Sequence, residues 1–339
     1  MTTASSHKNQ KPLAVSDIWP GLLTALSIAA GAVVLRQVSG HALLSPMLVS
    51  VVVGVLLRLA LGANSLPRAG LAIASRPVLR AGIVLLGLQV TLAEIAALGG
   101  AAFAVAALSL VATYLTVVLA GRLLGVPRSL TQLIAAGTAV CGASAVVAAN
   151  SVARGSDAEV GYAVASVTLF GTLAMLALPL LAGPMGLDPV AYGIWTGASI
   201  HEVAQVTAAA FQLGPEAGQV GTITKLIRVM LLAPLVMSMA IMARSTGVAG
   251  SVPGGVQFPW FVVGFIALAA FNGVVNLPET GKALAGVCST FLMSTGIAAM
   301  GLSLNLRELR NQGLAPLGLS AFGCGFIVIF ALGAVMVFI

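Results

Sequence analysis

Long apolar runs, separated by short polar or glycine- and proline-containing stretches, dominate the hydrophobic pattern of the chain. A membrane-spanning helix needs about 20 mostly apolar residues, and by that measure the pattern predicts eleven spans. Their approximate ranges are 18–36, 43–61, 71–93, 100–121, 129–152, 158–182, 189–212, 218–243, 258–276, 283–305 and 314–338. Glycine or proline marks most boundaries, where they end helices or form turns. The pattern therefore predicts an all-α membrane protein.

The composition supports a lipid environment. Hydrophobic residues make up 59% of the chain and charged residues 7%, whereas a soluble domain carries about 25% charged residues. Such a chain cannot cover a water-facing surface of its size. The net charge of +7 does not indicate nucleic-acid binding, because the basic residues are scattered singly or in pairs between apolar runs.

The distribution of these basic residues predicts the topology. With the N-terminus in the cytoplasm, eleven basic residues lie at cytoplasmic ends and loops and three on the opposite side, as the positive-inside rule requires. The C-terminus is then periplasmic or extracellular. Residues 1–16 are expected to form a disordered cytoplasmic tail, and 17–339 a single transmembrane domain that retains its first apolar run. Arg76 and Arg80 are interpreted as interfacial anchors.

Two distant segments resemble each other. The sequence GIVLLGLQVTLAEI from Gly82 aligns with GIAAMGLSLNLREL from Gly296 at a constant separation of 214 residues. An odd number of spans separates the partners, so the copies are expected to be inverted, at about 43–121 and 256–339, around core helices at about 129–245. Inverted repeats are typical of secondary transporters. Chance similarity between glycine- and leucine-rich helices is the alternative.

Two segments between the repeats have helix-breaking character. Gly137–Ser151 and Thr196–Val206 share the tripeptide Gly-Ala-Ser, and glycine and small polar residues are poor in helix interiors. A broken helix presents free N–H groups at membrane depth, which favours an anion. Thr138, Ser144 and Ser199 are therefore candidate ligands. Tight helix packing through small residues is the alternative interpretation.

His201 and Glu202 follow the second predicted break, inside an apolar span. The spacing resembles the zinc-binding HExxH motif, but its last position is Gln205, so no metal site is predicted. A histidine beside a carboxylate is a candidate proton-coupling element, with Gln205 one helical turn from His201 on the same face. The alternative is that Glu202 only neutralises a nearby cation.

Lys225 and Arg228 are three residues apart and are expected to share one face of the eighth span. Two such cations repel each other unless a carboxylate or an anion lies between them. Glu202 is one candidate partner and an anionic substrate the other, because a planar guanidinium donates two hydrogen bonds to an oxyanion. Snorkelling of both side chains to the interface is the alternative.

Three motifs together resemble a known family. GTAVCGASAVVA, GASIHEVAQV and TKLIRVMLLAP are similar to the YeiH-type bacterial membrane proteins, a family assigned to sulfate export, and the resemblance covers almost the whole chain after residue 15. It implies a UPF-type protein of the bacterial inner membrane that exports sulfate or a related sulfur oxyanion.

More distantly, GLSLNLREL and ARGSDAEVG are similar to the sodium/bile-acid symporter and sodium/proton antiporter superfamily. That similarity implies crossed, broken helices. The departure from the superfamily is the lack of an Asp in the presumed core, where Glu202 is the carboxylate that remains.

The sequence thus predicts a secondary transporter that exports sulfate or a small sulfonate, with no cofactor and no catalytic activity. The expected partners are a small anion, the lipid bilayer, a coupling proton or sodium ion, and a second copy of the chain in a homodimer. The predicted substrate-binding residues are Thr138, Ser144, Ser199, His201, Glu202, Gln205, Lys225 and Arg228. A passive anion channel and an intramembrane metal-dependent enzyme are the alternatives.

Overall fold

The computed structural model describes residues 17–39, 45–61, 67–245, 260–275, 277–304 and 313–339. Within these ranges every regular element is helical, so the prediction of an all-α protein is confirmed there. The predicted tail 1–16 lies outside the described residues, as do the first residues of both predicted repeats and the C-terminal end of the second repeated motif.

Fifteen α-helices follow one another along the described chain. They are α1 (Trp19–Ser39), α2 (Pro46–Leu61), α3 (Arg68–Ile73), α4 (Leu79–Leu86), α5 (Leu92–Leu123), α6 (Arg128–Ala139), α7 (Ala143–Ala153), α8 (Asp157–Ala182), α9 (Pro189–Ser199), α10 (Val203–Ala210), α11 (Pro215–Met230), α12 (Leu232–Ser245), α13 (Trp260–Val275), α14 (Glu279–Ser303) and α15 (Leu314–Phe338). A π-helical turn, Ala74–Val78, joins α3 to α4, and a short 3₁₀ turn, Gly87–Gln89, follows α4.

Seven helical stretches are long and apolar enough to cross a membrane by length and composition. They are Trp19–Ser39, Arg68–Gln89, Leu92–Leu123, Asp157–Ala182, Pro215–Ala243, Glu279–Ser303 and Leu314–Phe338. Shorter apolar helices, among them α2, α7 and α13, accompany them. Many large apolar side chains on these helices point outward, as expected where lipid rather than water is the solvent.

Two predicted spans are interrupted, as the sequence indicated. The span predicted at 129–152 is split between α6 and α7, and the span predicted at 189–212 between α9 and α10. Gly142 makes the first break possible, because its φ of 71° and ψ of −131° are accessible to glycine but strained for other residues. Each interrupted span therefore consists of two half-helices joined by three non-helical residues.

Contacts between α4 and α14 come in exchanged pairs. Gly82 packs against Met293, where an added Cβ would lie 3.0 Å from the Met293 nitrogen, and Gly296 packs against Leu79, where it would lie 2.6 Å from Cβ. Residues 79 and 82 precede residues 293 and 296 by 214 positions. The two contacts are therefore equivalent. In one of them α4 supplies the glycine and α14 the larger residue, and in the other α14 supplies the glycine and α4 the larger residue.

The same exchange relates α2 to α13. Gly87 faces the carbonyl oxygen of Phe265, and Gly301 faces the carbonyl oxygen of Val51. Position 87 precedes 301, and position 51 precedes 265, by the same 214 residues. Close backbone approach at both sites requires the missing side chain of glycine, because a Cβ there would collide with backbone atoms.

Hydrogen bonds at the helix ends repeat the relation once more. Asn272 donates from Nδ2 to the Val90 carbonyl oxygen at 3.2 Å, and Arg58 donates from Nε to the Leu304 carbonyl oxygen at 3.1 Å. These positions again differ by 214 residues. A different polar side chain thus satisfies the equivalent carbonyl in each half of the chain.

Candidate functional site

The candidate site is formed where the two interrupted spans meet α11. The last carbonyl groups of any α-helix lack an intrahelical donor, and inside a membrane no bulk water replaces it. Here the ends of α6 and α9 lie together and their carbonyl oxygens converge on Lys225 and Arg228 of α11. Both side chains are 0% exposed, so the snorkelling interpretation is wrong.

Lys225 joins the two breaks directly. Its Nζ donates hydrogen bonds of 2.6 Å to the carbonyl oxygen of Val140, in the first break, and to that of Ile200, in the second. The ammonium group therefore lies at the negative ends of two helix dipoles, where a cation is stabilised.

Arg228 satisfies the remaining carbonyls of the same two helix ends. Its Nε and Nη2 donate to the Ala139 carbonyl oxygen, and Nη2 also donates to that of Thr138 at 3.0 Å. Its Nη1 donates to the carbonyl oxygens of Gly197 and Ile200, at 3.4 and 3.2 Å. Nε and Nη2 thus contact the end of α6, while Nη1 contacts the end of α9 and the second break.

The sequence led us to expect a carboxylate or an anion between Lys225 and Arg228, and the hydrogen bonds to carbonyl oxygens take its place. Main-chain carbonyls surround Lys225 and Arg228, and the expected ion pair with Glu202 is not formed. Within the described ranges, the ion pair closer than 4.0 Å is Lys282 with Glu279, at the protein surface. Neutral carbonyl dipoles make the direct contacts with the two buried charges, and the Glu202 carboxylate acts on Lys225 from beyond ion-pair distance.

Glu202 lies instead at the N-terminal end of α7. Its side chain packs against Gly142, where an added Cβ would collide with the Glu202 Cγ, and its Oε1 accepts a hydrogen bond of 3.0 Å from Thr168 Oγ1. A carboxylate is favoured at a helix N-terminus. The free N–H end that we expected to receive a substrate anion therefore already faces a resident acidic side chain.

Gln205 connects the second break to α8. It accepts a hydrogen bond from the Glu202 main-chain N–H at 3.1 Å and donates from Nε2 to the Thr168 carbonyl oxygen and to Thr172 Oγ1, at 3.0 and 3.2 Å. Gly171 allows this approach, because an added Cβ would collide with the Gln205 amide. The prediction that Gln205 and His201 share a helical face is wrong, since His201 lies in the non-helical break.

His201 is 1% exposed, and in the part of the chain that the structure describes neither ring nitrogen has a hydrogen-bond partner. The charges of Lys225 and Arg228 act on it electrostatically. An unpaired buried imidazole is costly unless water or a ligand reaches it. The ring is therefore a buried polar group beside two cations, without a hydrogen-bond partner among the described residues.

The three predicted small ligands are placed differently from one another. Ser199 is buried and its Oγ donates to the Trp195 carbonyl oxygen at 2.6 Å, which is a packing contact within its own helix. Thr138 is buried, and its hydroxyl has no partner among the described residues. Ser144 is exposed on the first turn of α7. These positions leave their predicted role in substrate binding untested.

A small cavity of about 10 Å³, close to the space that one water molecule needs, lies beside this site. Its polar wall comes from α8 and α10 and contains Thr168, Thr172 and Gln205. Its apolar wall comes from α2 and α14 and contains Val51, Val55, Ile297, Met300, Gly301 and Leu304. Lys225 and Arg228 do not line it.

Three residues that sequence reasoning missed contribute to this region. Thr168 and Thr172 are spaced four apart on an apolar span, which places them on one helical face, and that spacing could have indicated them. Arg76 was interpreted as an interfacial anchor, yet its charge acts on Glu202. It lies within the π-helical turn before Pro77, and such turns are frequent at functional sites.

A metal centre finds no support in the described part of the chain. No three His, Cys, Asp or Glu side chains lie together there in a group that could hold a metal ion.

The chain matches a family model described as conserved hypothetical protein 698 over residues 20–320. It is 36% identical to a UPF0324 membrane protein of Pseudomonas aeruginosa, over 97% of this chain and 97% of the relative. It is 35% and 33% identical to the UPF0324 membrane proteins named TauZ of Paracoccus denitrificans and Paracoccus pantotrophus, over 93% of this chain and 94% of each relative.

These matches confirm the resemblance to the YeiH-type family. No solved structure matches the chain, and the similarity to sodium/bile-acid symporters stays a prediction.

Proposed function

The chain belongs to the UPF0324 family of membrane proteins, also described as conserved hypothetical protein 698, and from this premise we propose that it is a secondary transporter for a small sulfur oxyanion or sulfonate. The observation that carries the proposal is the pair of fully buried cations at the crossing of two interrupted helices, next to a cavity. Buried charge in a membrane segment is expensive and typically marks a transport path.

The charges at the crossing favour an anion at the polar wall of the cavity, which would have to widen to admit one. Lys225 and Arg228 contribute two positive charges, whereas Glu202 contributes one negative charge, and surrounding lipid and protein screen them weakly. The excess positive potential attracts an anion to the polar wall. There Thr168, Thr172 and Gln205 carry two hydroxyl groups and an amide whose hydrogens donate within the protein in this structure. Binding of sulfonate or sulfate would redirect these donors to its oxygens.

The resident carboxylate supports proton coupling. Glu202 is partly buried and hydrogen-bonded to the cavity residue Thr168, so its negative charge opposes an incoming anion. Protonation of Glu202 would remove that repulsion and bind one proton for each anion admitted. The charged groups that act on it are Lys225 and Arg76, and His201 is its chain neighbour.

We propose an eleven-span topology in the bacterial inner membrane, with a cytoplasmic N-terminus and a periplasmic C-terminus. The seven long apolar stretches, α2, α13 and the two interrupted spans together give this number. Because α14 then runs inward, its C-terminal end at Leu304 lies near the cytoplasm. The cavity beside Leu304 would accordingly open toward the cytoplasmic side.

We further propose that α2 to α5 and α13 to α15 form inverted repeats. The exchanged contacts of Gly82 with Met293 and of Leu79 with Gly296 support this, because an approximate two-fold axis relating the halves requires such reciprocity. In transporters with inverted repeats, the substrate site alternates in access as the two halves exchange conformations.

The exchange predicts a second cavity. The positions that correspond to the apolar wall are Phe265, Ala269, Ile83, Leu86, Gly87 and Val90, at the same separation of 214 residues. All six are buried. Of their counterparts, Val55, Met300 and Leu304 are partly exposed, while Val51, Ile297 and Gly301 are buried. This difference in exposure between the two sets supports the proposal of an alternating-access cycle, of which the structure would be one end state.

Transport by the purified chain in proteoliposomes tests the proposal. Labelled sulfate and taurine are supplied with and without an imposed pH gradient; the relatives named TauZ are a reason to include taurine. We expect saturable uptake of at least one of them that rises with the gradient. Uptake that proceeds equally without any gradient and does not saturate would indicate a passive channel, and no uptake of any oxyanion would remove the proposal.

Two glutamine variants provide the matched comparison. Gln205→Leu removes the amide from the cavity wall, whereas Gln212→Leu removes one that donates to its own helix, to the Ala208 carbonyl oxygen. We expect the first variant to lose at least about tenfold in uptake, which corresponds to about 1.4 kcal/mol, and the second to remain close to wild type. Equal uptake by the two variants would contradict the placement of the substrate at this wall.

A further inference from the structure

The two breaks together present a set of main-chain oxygens of the kind that binds metal cations. Carbonyl oxygens replace the hydration shell of alkali ions in selective binding sites. Here the oxygens of Val140 and Ile200 come from separate segments and both lie 2.6 Å from Lys225 Nζ. Helix C-termini direct their negative dipole ends to the same point.

The occupant of this set of oxygens is a side chain of the protein. The Lys225 ammonium is 0% exposed, and the guanidinium of Arg228 fills the neighbouring positions on Thr138, Ala139 and Gly197. Within the described residues no carboxylate lies within ion-pair distance of either cation. The carbonyl oxygens are therefore the main stabilising partners of the ammonium, as they would be for a bound ion.

We propose that Lys225 is a tethered cation that fills a monovalent-cation site at the helix crossing, so that the crossing is stable, and the protein works, without bound sodium. The site would be formed by the Val140 and Ile200 carbonyl oxygens. Shortening the side chain vacates it, leaves the Val140 oxygen without this donor and leaves the Ile200 oxygen with Arg228 Nη1 alone. A free ammonium, sodium or potassium ion then binds in place of the amino group. This inference concerns the crossing alone and does not require that the protein be a transporter.

Thermal unfolding of the full-length protein in detergent tests the inference. The Lys225→Ala variant, the wild type and the control variant Lys282→Ala are compared in the chlorides of ammonium, sodium, potassium and N-methylglucamine at equal concentration. Lys282 is a suitable control because its amino group pairs with Glu279 at the surface.

We expect a lower midpoint for Lys225→Ala in N-methylglucamine chloride and a rise of about 5 °C or more in at least one of the small-cation salts, because a ligand that binds only the folded state stabilises it by mass action. The wild type and Lys282→Ala should show the same midpoint in all four salts. A midpoint of Lys225→Ala that equals the wild type in N-methylglucamine, or that ignores the cation, would overturn the inference.

A second measurement covers the case in which Lys225→Ala does not fold. Lys225→Ser removes the ammonium group but keeps a small polar side chain that leaves room for a cation, and equilibrium binding of sodium-22 is measured on this variant and on the wild type. Binding by the variant but not by the wild type supports a site that Lys225 normally fills. Binding by the wild type, or absence of binding by both proteins, refutes it, whether or not either protein transports an anion.

Discussion

A matched pair of cysteine variants tests the predicted exchange of conformations between the two halves. Leu304 lines the cavity and is partly exposed, whereas its counterpart Val90 is 1% exposed. Both residues follow the end of the corresponding helix, and both carbonyl oxygens accept a side-chain hydrogen bond. Leu304→Cys and Val90→Cys are introduced separately after replacement of the three native cysteines Cys141, Cys288 and Cys324.

The expected difference follows from the burial of the two side chains. A thiol at position 304 is accessible in the structure as it stands, while a thiol at position 90 is accessible only in the exchanged state. The minor state of a two-state protein is commonly populated at about 0.1–10%, which makes labelling of Val90→Cys about 10- to 1000-fold slower.

The assay uses membrane-impermeant maleimide on oriented vesicles. In the proposed topology Leu304→Cys reacts from the cytoplasmic side and Val90→Cys from the periplasmic side. A substrate or pH gradient that shifts the population toward the exchanged state should slow the first reaction and accelerate the second. Ala29→Cys, on α1 outside the repeats and 0% exposed, should stay unreactive throughout and so reports general unfolding.

Two results would refute the reasoning. If both thiols react from the same side of the membrane, the repeats are not inverted. The second is that the reaction of Val90→Cys never becomes faster under conditions that slow the reaction of Leu304→Cys. In that case the cavity wall around Leu304 and its counterpart around Val90 do not exchange exposure during the cycle.

Two further predictions concern packing and charge. Gly82→Leu and Gly296→Leu insert a side chain into the equivalent contacts of α4 and α14, so each should lower the free energy of unfolding by about 1–3 kcal/mol. The control variant Gly318→Leu, which has open space around it, should not. Thermal unfolding measures the effects, and unequal effects of the first two variants would argue against equivalent contacts. Glu202→Gln keeps an acceptor for the Thr168 hydroxyl but cannot ionise. Anion uptake by this variant should therefore lose its pH dependence between about pH 5 and 8. A variant with the wild-type pH profile would show that another group couples the proton.

The fold class and the positions of the two breaks could be predicted from the sequence. A run of about 20 apolar residues crosses the bilayer, where the backbone satisfies its hydrogen bonds only as a helix or in a closed barrel. The glycines at 137 and 142 locate the first interruption, because few other residues adopt the conformation of Gly142. The 214-residue separation between Gly82 and Gly296 was equally readable, since it is a property of sequence alone.

The partners of the charged residues could not be predicted in the same way. Lys225 and Arg228 were recognisable as costly charges within a span, but their partners are carbonyl oxygens at residues 138–140 and 197–200. Every residue carries a carbonyl group, so such a partner leaves no signature in the sequence. Only the tertiary structure decides which carbonyl groups lose their helical donors and lie beside α11.

The cavity wall shows the same division. The spacing of Thr168 and Thr172 could place them on one face of α8, but nothing local indicates that this face meets Gln205 and Glu202. The sequence by itself determined that charge is held inside a helical membrane protein and where two helices are interrupted. The tertiary structure decided what that charge touches, because contacts between distant segments depend on how the helices pack.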